Sequence, residues 1–454
     1  MKHALDWSSY KDAGLGDAYA DIPRIGEDFA KAVSVCINSR QCESNNKGVM
    51  CPSYRVTQDP LLSTGGRVRL LKAALNRDSD APGFDSKELA QAMDLCVACK
   101  GCKRECENEV DMAMIKVEYL AQRHLLERPS LRTRLLANVS RQLQYYSCFK
   151  RLIRLRNRSP LLARLGEFLF GVSARRQLPE PVRHTFEQRH PQDTAQTATG
   201  QAIPGEVVLL IDTFTNNFAP ENAEAALAVL QQAGYRVVTA RPDASTPEPD
   251  RPLCCGRTHI ANGLVEQAKH EARRMLSVLL PHVEAGRTII GLEPACLLAI
   301  RDDYRFLGLG QAADKVAAQA ILFEEFIARE IGAKRFKPEM KAVDTGGQPL
   351  LVHGHCHQKA VGAMKSMRKV LKAIPELDFQ LIESTCCGMA GSFGIEKEHA
   401  DIAMQMAEQS LLPALRERPG ARVLANGFSC RHQIREGVDR SAVHLACLLR
   451  EAMA

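Results

Sequence analysis

Four thiols stand within eleven residues at Cys96, Cys99, Cys102 and Cys106, in the run CVACKGCKREC. The spacing C-x2-C-x2-C-x3-C lets short turns wrap three thiolates around one face of a [4Fe-4S] cubane and sends the fourth cysteine toward a neighbouring cluster. Zinc is the poorer match, because tetrahedral closure prefers two separated C-x2-C knuckles to ligands at successive three-residue steps. Upstream lie Cys36, Cys42 and Cys51, with Pro52 directly after Cys51. A following proline marks the exchanged fourth position of two-cluster loops, so Cys51 is expected to join Cys96, Cys99 and Cys102. Cys36 and Cys42 are then expected to pair with Cys106. Three thiolates leave that second site open: a three-iron cluster, one completed by a non-cysteine ligand, or one assembled differently.

A separate signal is the doublet. Cys254-Cys255-Gly256 and Cys386-Cys387-Gly388 place two cysteines side by side, and adjacent cysteines rarely bridge each other without backbone strain. Each doublet is followed by a cysteine expected at a strand end, Cys296 for the first and Cys430 for the second. Cys356 supplies a further thiol ahead of the second doublet. Such sets argue for a metal or redox site. His353, His355 and His357 flank Cys356 and are expected to hydrogen-bond near the site and tune it rather than bind metal. Cys148 and Cys447 fall outside every cluster and read as small buried apolar residues.

The elements that must position these thiols form an internal repeat from Val207 onward. The apolar strands VVLLI and PLLVHG each lead through a helix to a second strand, a Cys-Cys-Gly, another helix and a third strand. The doublets are 132 residues apart, and Cys296 and Cys430 are 134 apart. Short apolar strands alternating with amphipathic helices imply two parallel α/β units related by a pseudo-twofold axis. Laying LLIDTFTNN over LLVHGHCHQ puts Thr215 where the second copy has Cys356, so the first copy has three thiols and the second four. The expected division is a helical, cysteine-bearing region over 1–120, a basic helical connector and linker over 121–205, and repeat units over 206–335 and 336–454. Within the connector, EQRHPQDTAQTATGQAIPGE reads as a surface linker.

Composition narrows the function. With 454 residues, 45% hydrophobic and 25% charged, the chain suits two or three globular domains. It has no apolar run long enough to span a bilayer, and MKHALDWSSY lacks an export signal, which together suggest the cytoplasm. Sixteen cysteines in a reducing compartment point to metal or redox chemistry rather than disulfides. The net charge of +7 is unevenly spread: residues 123–184 hold fourteen Lys or Arg against three acids. A solvated helical face is one explanation, and peripheral docking on the anionic inner membrane is the other. Nucleic acid is not an expected partner, with 5% aromatics and no recognised DNA-reading motif. Gly308-Leu-Gly310 imitates part of a dinucleotide fingerprint, but it follows an expected helix end instead of a strand.

The runs GVMCPSYRVTQDPLLSTGGRVRLL, CVACKGCKREC, IDTFTNNFAPENAEAA, LCCGRTHIANG, HGHCHQKA and CCGMAGSFGIE together resemble the iron-sulfur half of FAD-linked D-2-hydroxyacid dehydrogenases of the D-lactate and D-2-hydroxyglutarate type. The chain is similar, more distantly, to the iron-sulfur subunits of glycolate oxidase and anaerobic glycerol-3-phosphate dehydrogenase and to the CCG subunit of heterodisulfide reductase. The resemblance implies an α-helical ferredoxin-like domain followed by two α/β CCG repeats with parallel sheets. It implies [4Fe-4S] clusters here, with FAD on a partner chain or on a domain preceding this one. Electrons would pass from that flavin through the clusters to a quinone or other acceptor, in an oxidoreductase acting on CH-OH donors. In the second repeat Cys356, Cys386, Cys387 and Cys430 match the CCG pattern residue by residue, whereas Thr215 breaks it in the first. The alternative is a heterodisulfide-reductase-like thiol–disulfide enzyme working at the CCG site.

Overall fold

A computed structural model describes residues 1–17, 20–44, 48–76, 83–145, 147–191 and 205–454. The expected linker falls largely on 192–204, outside the described residues. Up to residue 145 the chain forms short helices, of which Met112–Leu126 is the longest. That helix anchors the amino terminus through the fully buried Glu118. Its carboxylate accepts from the amides of Ala4 (3.0 Å) and Leu5 (2.9 Å), from Trp7 Nε1 (3.0 Å) and from Gln122 Nε2 (2.7 Å). Four donors meet the hydrogen-bonding demand of a carboxylate taken out of water. Trp7 thereby reaches Phe29 and Phe306, at ring-centroid distances of 5.2 and 5.3 Å, and joins the helical region to the first repeat.

Eight short strands follow: β1 (Glu206–Leu210), β2 (Arg236–Thr239), β3 (Thr288–Gly291), β4 (Ala320–Leu322), β5 (Leu350–Val352), β6 (Phe379–Leu381), β7 (Val423–Leu424) and β8 (Ala442–Val443). They make two all-parallel sheets with the same order, β2-β1-β3-β4 and β6-β5-β7-β8. Val208 pairs with Ile289 in one, and Leu351 with Val423 in the other. Strand β1 is buried on both faces, as a sheet covered by helices on each side requires. The two sheets share one apolar core, in which Leu209 and Ile290 meet Leu350, Val352 and Leu424. Their helices exchange partners: Pro220–Gln232 packs on Leu445–Ala452, and Phe323–Gly332 on Met364–Leu371. These reciprocal contacts join the two repeat units as a pseudo-twofold pair.

Two details differ from the sequence reading. Cys296 and Cys430 do not end strands; each lies in the first turn of the helix after one, Pro294–Arg301 and Phe428–Val438. The chain turns at once into helix at the first of these because Pro294 suits the opening helical position, where no amide donor is needed. The helix expected after the second doublet, over EHADIAMQMAEQSLLPALRE, is two: Ala400–Glu408 and Leu411–Glu417. Pro413 has no N–H for the carbonyl of Gln409, so a continuous helix fails there.

Two polar latches fix the helical region against the repeats. Lys100, between Cys99 and Cys102, is buried against Asp302 and Asp303, and Lys103 reaches Asp302 at 2.6 Å and Asp111 at 3.1 Å. On the other side His399 lies 2.7 Å from Asp94 and 3.2 Å from Glu396 and stacks on Phe393 at 4.2 Å. Burial disfavours a charge on His399, but the bonds to Asp94 and Glu396 outweigh it and hold the imidazole up to about 9. A folded-state value above the unfolded one means that the stabilisation is whole below about pH 6.5 and lost as pH rises through about 9. Urea midpoints from pH 6 to 10 are therefore expected to fall more steeply for the wild-type chain than for His399→Phe. Parallel curves would show that the ring contributes no charge to the latch.

Candidate metal centre

Helix Thr64–Leu75 begins where two of the upstream thiols lie. Its Thr64 amide donates to Cys51 Sγ at 3.1 Å and its Gly65 amide to Cys42 Sγ at 3.2 Å. Amides at a helix start favour anionic sulfur, both by hydrogen bonding and by the dipole. Cys51 takes a left-handed backbone, φ 52°, and Pro52 opens the helix Pro52–Thr57. Burial pushes the Cys51 thiol up to about 11, against the lowering by Arg67 and the Thr64 bond, with Cys42 and Cys96 raising it further. The segment bearing Cys51 is held to the thiol-rich loop by Glu105, whose carboxylate accepts from the amides of Val49 (2.7 Å) and Met50 (2.9 Å). The loop itself carries left-handed residues at Ala98 and Lys100, conformations that persist only when the surroundings impose them.

The structure brings Cys51 into the electrostatic reach of Cys96 and Cys102, and Cys36 into that of Cys42 and Cys106. Cys99 is placed differently. It is buried with Val49 and Val97 in a cluster that also contains Cys356, Cys386 and Cys387. Burial raises its thiol most, and the next contribution is Cys356, ahead of Cys102 in its own loop and then Cys386. Beside it, His357 Nε2 lies 3.1 Å from the carbonyl of Ala98. No spacing rule relates residue 99 to 356; the packing of the loop against the second repeat does.

In the second repeat the thiols form a hydrogen-bonded chain, Cys356–Cys386–Cys387–Cys430. All four are buried. They converge at the carboxyl ends of β5 and β7, the pair where the strand order reverses, which is where parallel sheets place ligands. For Cys386 the bond to Cys356 lowers the thiol, while the bond to Cys387 and burial raise it, to about 12 overall. Gly388 turns the doublet with φ +84°, and its amide donates to Cys386 Sγ at 3.4 Å. Lys359 Nζ caps the approach, 2.5 Å from the Ser384 carbonyl and 3.0 Å from Ser384 Oγ. His355 Nδ1 accepts from the His357 amide at 3.1 Å and caps the helix bearing Cys356.

The first repeat follows the same plan with one member short. Cys254–Cys255–Cys296 form the chain, and the Gly256 amide donates to Cys254 Sγ at 3.5 Å. Thr215 is buried in the place of the missing thiol, and its hydroxyl donates to Asp212 Oδ2 at 2.6 Å within its own turn. The two sites adjoin: Glu293, three residues before Cys296, accepts from the Phe428 amide at 2.7 Å, two residues before Cys430. Phe428 stacks on Phe214 at 5.0 Å across the same boundary.

The remaining thiols and decoys are elsewhere. Cys447 faces the carbonyl of Glu221 at 3.7 Å and is only partly buried, while the side chain of Cys148 lies outside those the structure describes. Gly308 follows a 3-10 turn, Asp303–Leu307, and not a strand. Sequence reasoning missed Lys100 and Asp302–Asp303 as the tie between loop and first repeat, since their pairing spans some two hundred residues.

As free groups these thiols are poor nucleophiles, because reactive cysteines need a depressed pKa and an open approach. Buried, mutually hydrogen-bonded sulfurs with N–H donors aimed at them suit a bound metal group, whose positive charge would replace the protons. Comparison with known proteins agrees. Residues 32–110 match the model of the 4Fe-4S dicluster domain, and residues 350–435 that of the CCG cysteine-rich domain. The chain is 23% identical over 434 residues to D-2-hydroxyglutarate dehydrogenase of Escherichia coli, covering 85% of this chain and 40% of that protein. It is 25% identical to the Pseudomonas putida enzyme of that name, over 93% of this chain and 43% of the other. One subunit of the anaerobic glycerol-3-phosphate dehydrogenase of Escherichia coli is 24% identical over 72% of this chain and 78% of its own length. The chain thus spans about two fifths of the D-2-hydroxyglutarate dehydrogenases it matches and most of the glycerol-3-phosphate dehydrogenase subunit. The chain carries an iron-sulfur module of such dehydrogenases, in which a 4Fe-4S dicluster domain is followed by a cysteine-rich CCG domain.

Proposed function

We propose that this chain carries electrons one at a time from a flavin-bearing dehydrogenase that oxidises a D-2-hydroxyacid to a quinone or another acceptor. A bound iron-sulfur cluster supplies one-electron steps, and FAD, on a partner chain or an attached domain, divides the electron pair of alcohol oxidation into single electrons. Cys51, Cys96, Cys99 and Cys102 hold one [4Fe-4S] cluster, and Cys36, Cys42 and Cys106 contribute to a second. Cys356, Cys386, Cys387 and Cys430 hold the terminal metal group, with Cys254, Cys255 and Cys296 forming a lesser site beside it. The observation that carries this reading is the burial of Cys99 against Cys356 and Cys386. One thiol of the loop is buried in the same cluster as the thiols of the second repeat, so the two redox regions adjoin. The relatives' names, which speak of D-2-hydroxyglutarate, glycerol 3-phosphate and lactate utilization, support a hydroxy-substrate donor.

Iron and acid-labile sulfide per chain, measured on anaerobically purified protein, test it directly. Two cubanes alone require about eight irons, and reduction should give interacting EPR signals at low temperature. Zinc, or no metal in protein shown to be folded, would sink the electron-carrier reading and leave thiol–disulfide exchange at the doublets.

A second reading concerns where the module works. Helices Ser147–Arg158 and Pro160–Phe170 pack together, yet they expose Leu152, Leu155, Leu161, Leu165, Phe168 and Leu169, with Phe168 at 84%. Arg151, Arg154, Arg158 and Arg164 are exposed among them. Leucine and arginine on one short helical pair match an anionic bilayer surface. No helix among the described residues is long and apolar enough to cross a membrane, so the contact would be peripheral. The chain is expected to float with phosphatidylglycerol vesicles at low salt, and Leu161→Glu with Phe168→Glu to reduce the bound fraction roughly tenfold or more. Salt-independent absence of binding would remove the membrane from the proposal.

A further inference from the structure

His353 directly follows β5, the strand that leads to Cys356, and is 1% exposed. A ring nitrogen of His353 and the sulfurs of Cys387 and Cys430 all lie within 4.8 Å of one another. Nδ1 is committed to Ser384 Oγ at 2.8 Å. Nε2 is buried and has no hydrogen-bond partner among the described residues. Buried side-chain nitrogens in folded proteins nearly always have a partner, so this one marks a place for a ligand.

The second contact of the ring has the form found behind metal-binding histidines. Ser384 Oγ also accepts from Lys359 Nζ at 3.0 Å and keeps a second lone pair for Nδ1–H. The tautomer protonated on Nδ1 frees the Nε2 lone pair for a metal. In the first repeat the same place is Asp212. Its carboxylate turns inward to the amides of Phe214 (2.9 Å) and Thr215 (3.0 Å) and to the Thr215 hydroxyl. The repeat with the missing thiol therefore lacks the imidazole too.

We propose that His353 Nε2 is a nitrogen donor to the metal group held by Cys356, Cys386, Cys387 and Cys430, binding beside Cys387 and Cys430. The proposal rests on those thiols holding metal, and it departs from the expectation that the local histidines only tune the site. His355 and His357 keep the supporting role: His355 Nδ1 caps the helix and stands 4.0 Å from Cys356 Sγ, and His357 reaches the Ala98 carbonyl.

The test uses the full chain, purified anaerobically and labelled with 15N only in histidine. Pulsed EPR is recorded on the reduced signal that disappears in Cys386→Ser/Cys387→Ser. A strongly coupled nitrogen that changes from 14N to 15N on labelling, is lost in His353→Gln and survives in His357→Gln is the expected result. The His353→Gln chain should remain folded by circular dichroism and show a shifted midpoint potential at that signal alone. A coupling that survives His353→Gln overturns the proposal. So does its replacement by a deuterium-exchangeable proton coupling, which marks an N–H···S bond. If the double serine variant loses neither iron nor any signal, the metal reading of this site fails with it. Iron lost from the double variant, without histidine coupling in the parent, refutes the nitrogen donor alone.

Discussion

Replacing Lys100 by methionine is expected to destabilise the folded chain by roughly 3–5 kcal/mol, the cost of stranding buried charge when one partner of an ion pair is removed. The ammonium is 6% exposed and Asp303 is 2% exposed. Burial works to discharge the lysine, but Asp303, Asp111 and Asp302 overcome it and hold the group above its ordinary range. Asp302 is correspondingly held low: burial opposes its charge, and Lys100 and Lys103 outweigh burial. Removal of Lys100 leaves Asp303 without its nearest cation in a site closed to water. The left-handed backbone at position 100 is no confounder, because methionine bears the same strain as lysine there. Urea unfolding followed by circular dichroism gives the number. Lys100→Met combined with Asp303→Asn should recover part of the loss, since both charges then leave together. A single-variant change below about 1 kcal/mol, the range of a surface pair, would show that water reaches the site. The latch also positions Cys99, so the variant is expected to weaken the coupling between the loop and the second repeat even where iron is retained.

The second large effect is expected at Gly388. An added Cβ there would stand 2.0 Å from the Ala403 carbonyl oxygen and 2.8 Å from its carbon, at φ +84°. Those are backbone atoms of helix Ala400–Glu408, so no side chain can swing away to make room. Gly388→Ala should therefore displace that helix or the doublet, with loss of the metal bound by the second repeat and several-fold lower expression of folded chain. Gly256→Ala is the internal control. Its Cβ would meet the Ala268 carbonyl at 3.3 Å with φ +72°, and the expected cost is about 1–2 kcal/mol from the left-handed backbone. Equal loss from the two variants would mean that helix Ala400–Glu408 yields. The measurement is iron per chain together with the urea midpoint for each.

The positions of the thiols in the chain, and the chemistry they suit, belong to the sequence. Ligand spacing is local, so C-x2-C-x2-C-x3-C shows which loop can wrap a cluster before anything is known of its surroundings. The parallel sheets were legible for a similar reason. Period and length of apolar runs around two doublets 132 residues apart leave few topologies, and both copies adopt the same strand order. The breakdown of the long helix at Pro413 and the shift of Cys296 and Cys430 into helices show the limit even of local reading. The strand ends at Gly291 and Leu424 and the helix starts at Pro294 and Phe428 are only three and four residues apart, a separation that hydrophobic pattern alone does not resolve.

What the tertiary structure decided is which thiols face which. Cys99 shares a buried cluster with Cys356 across 257 residues of chain, Lys100 finds Asp303 in the first repeat, and the buried ring of His353 lies beside Cys387 and Cys430. None of these follows from composition or spacing, because each depends on how two helical layers close over one sheet edge. Burial then does the rest: it removes water as the alternative partner, so a charge or lone pair acquires meaning from the few groups the fold leaves beside it.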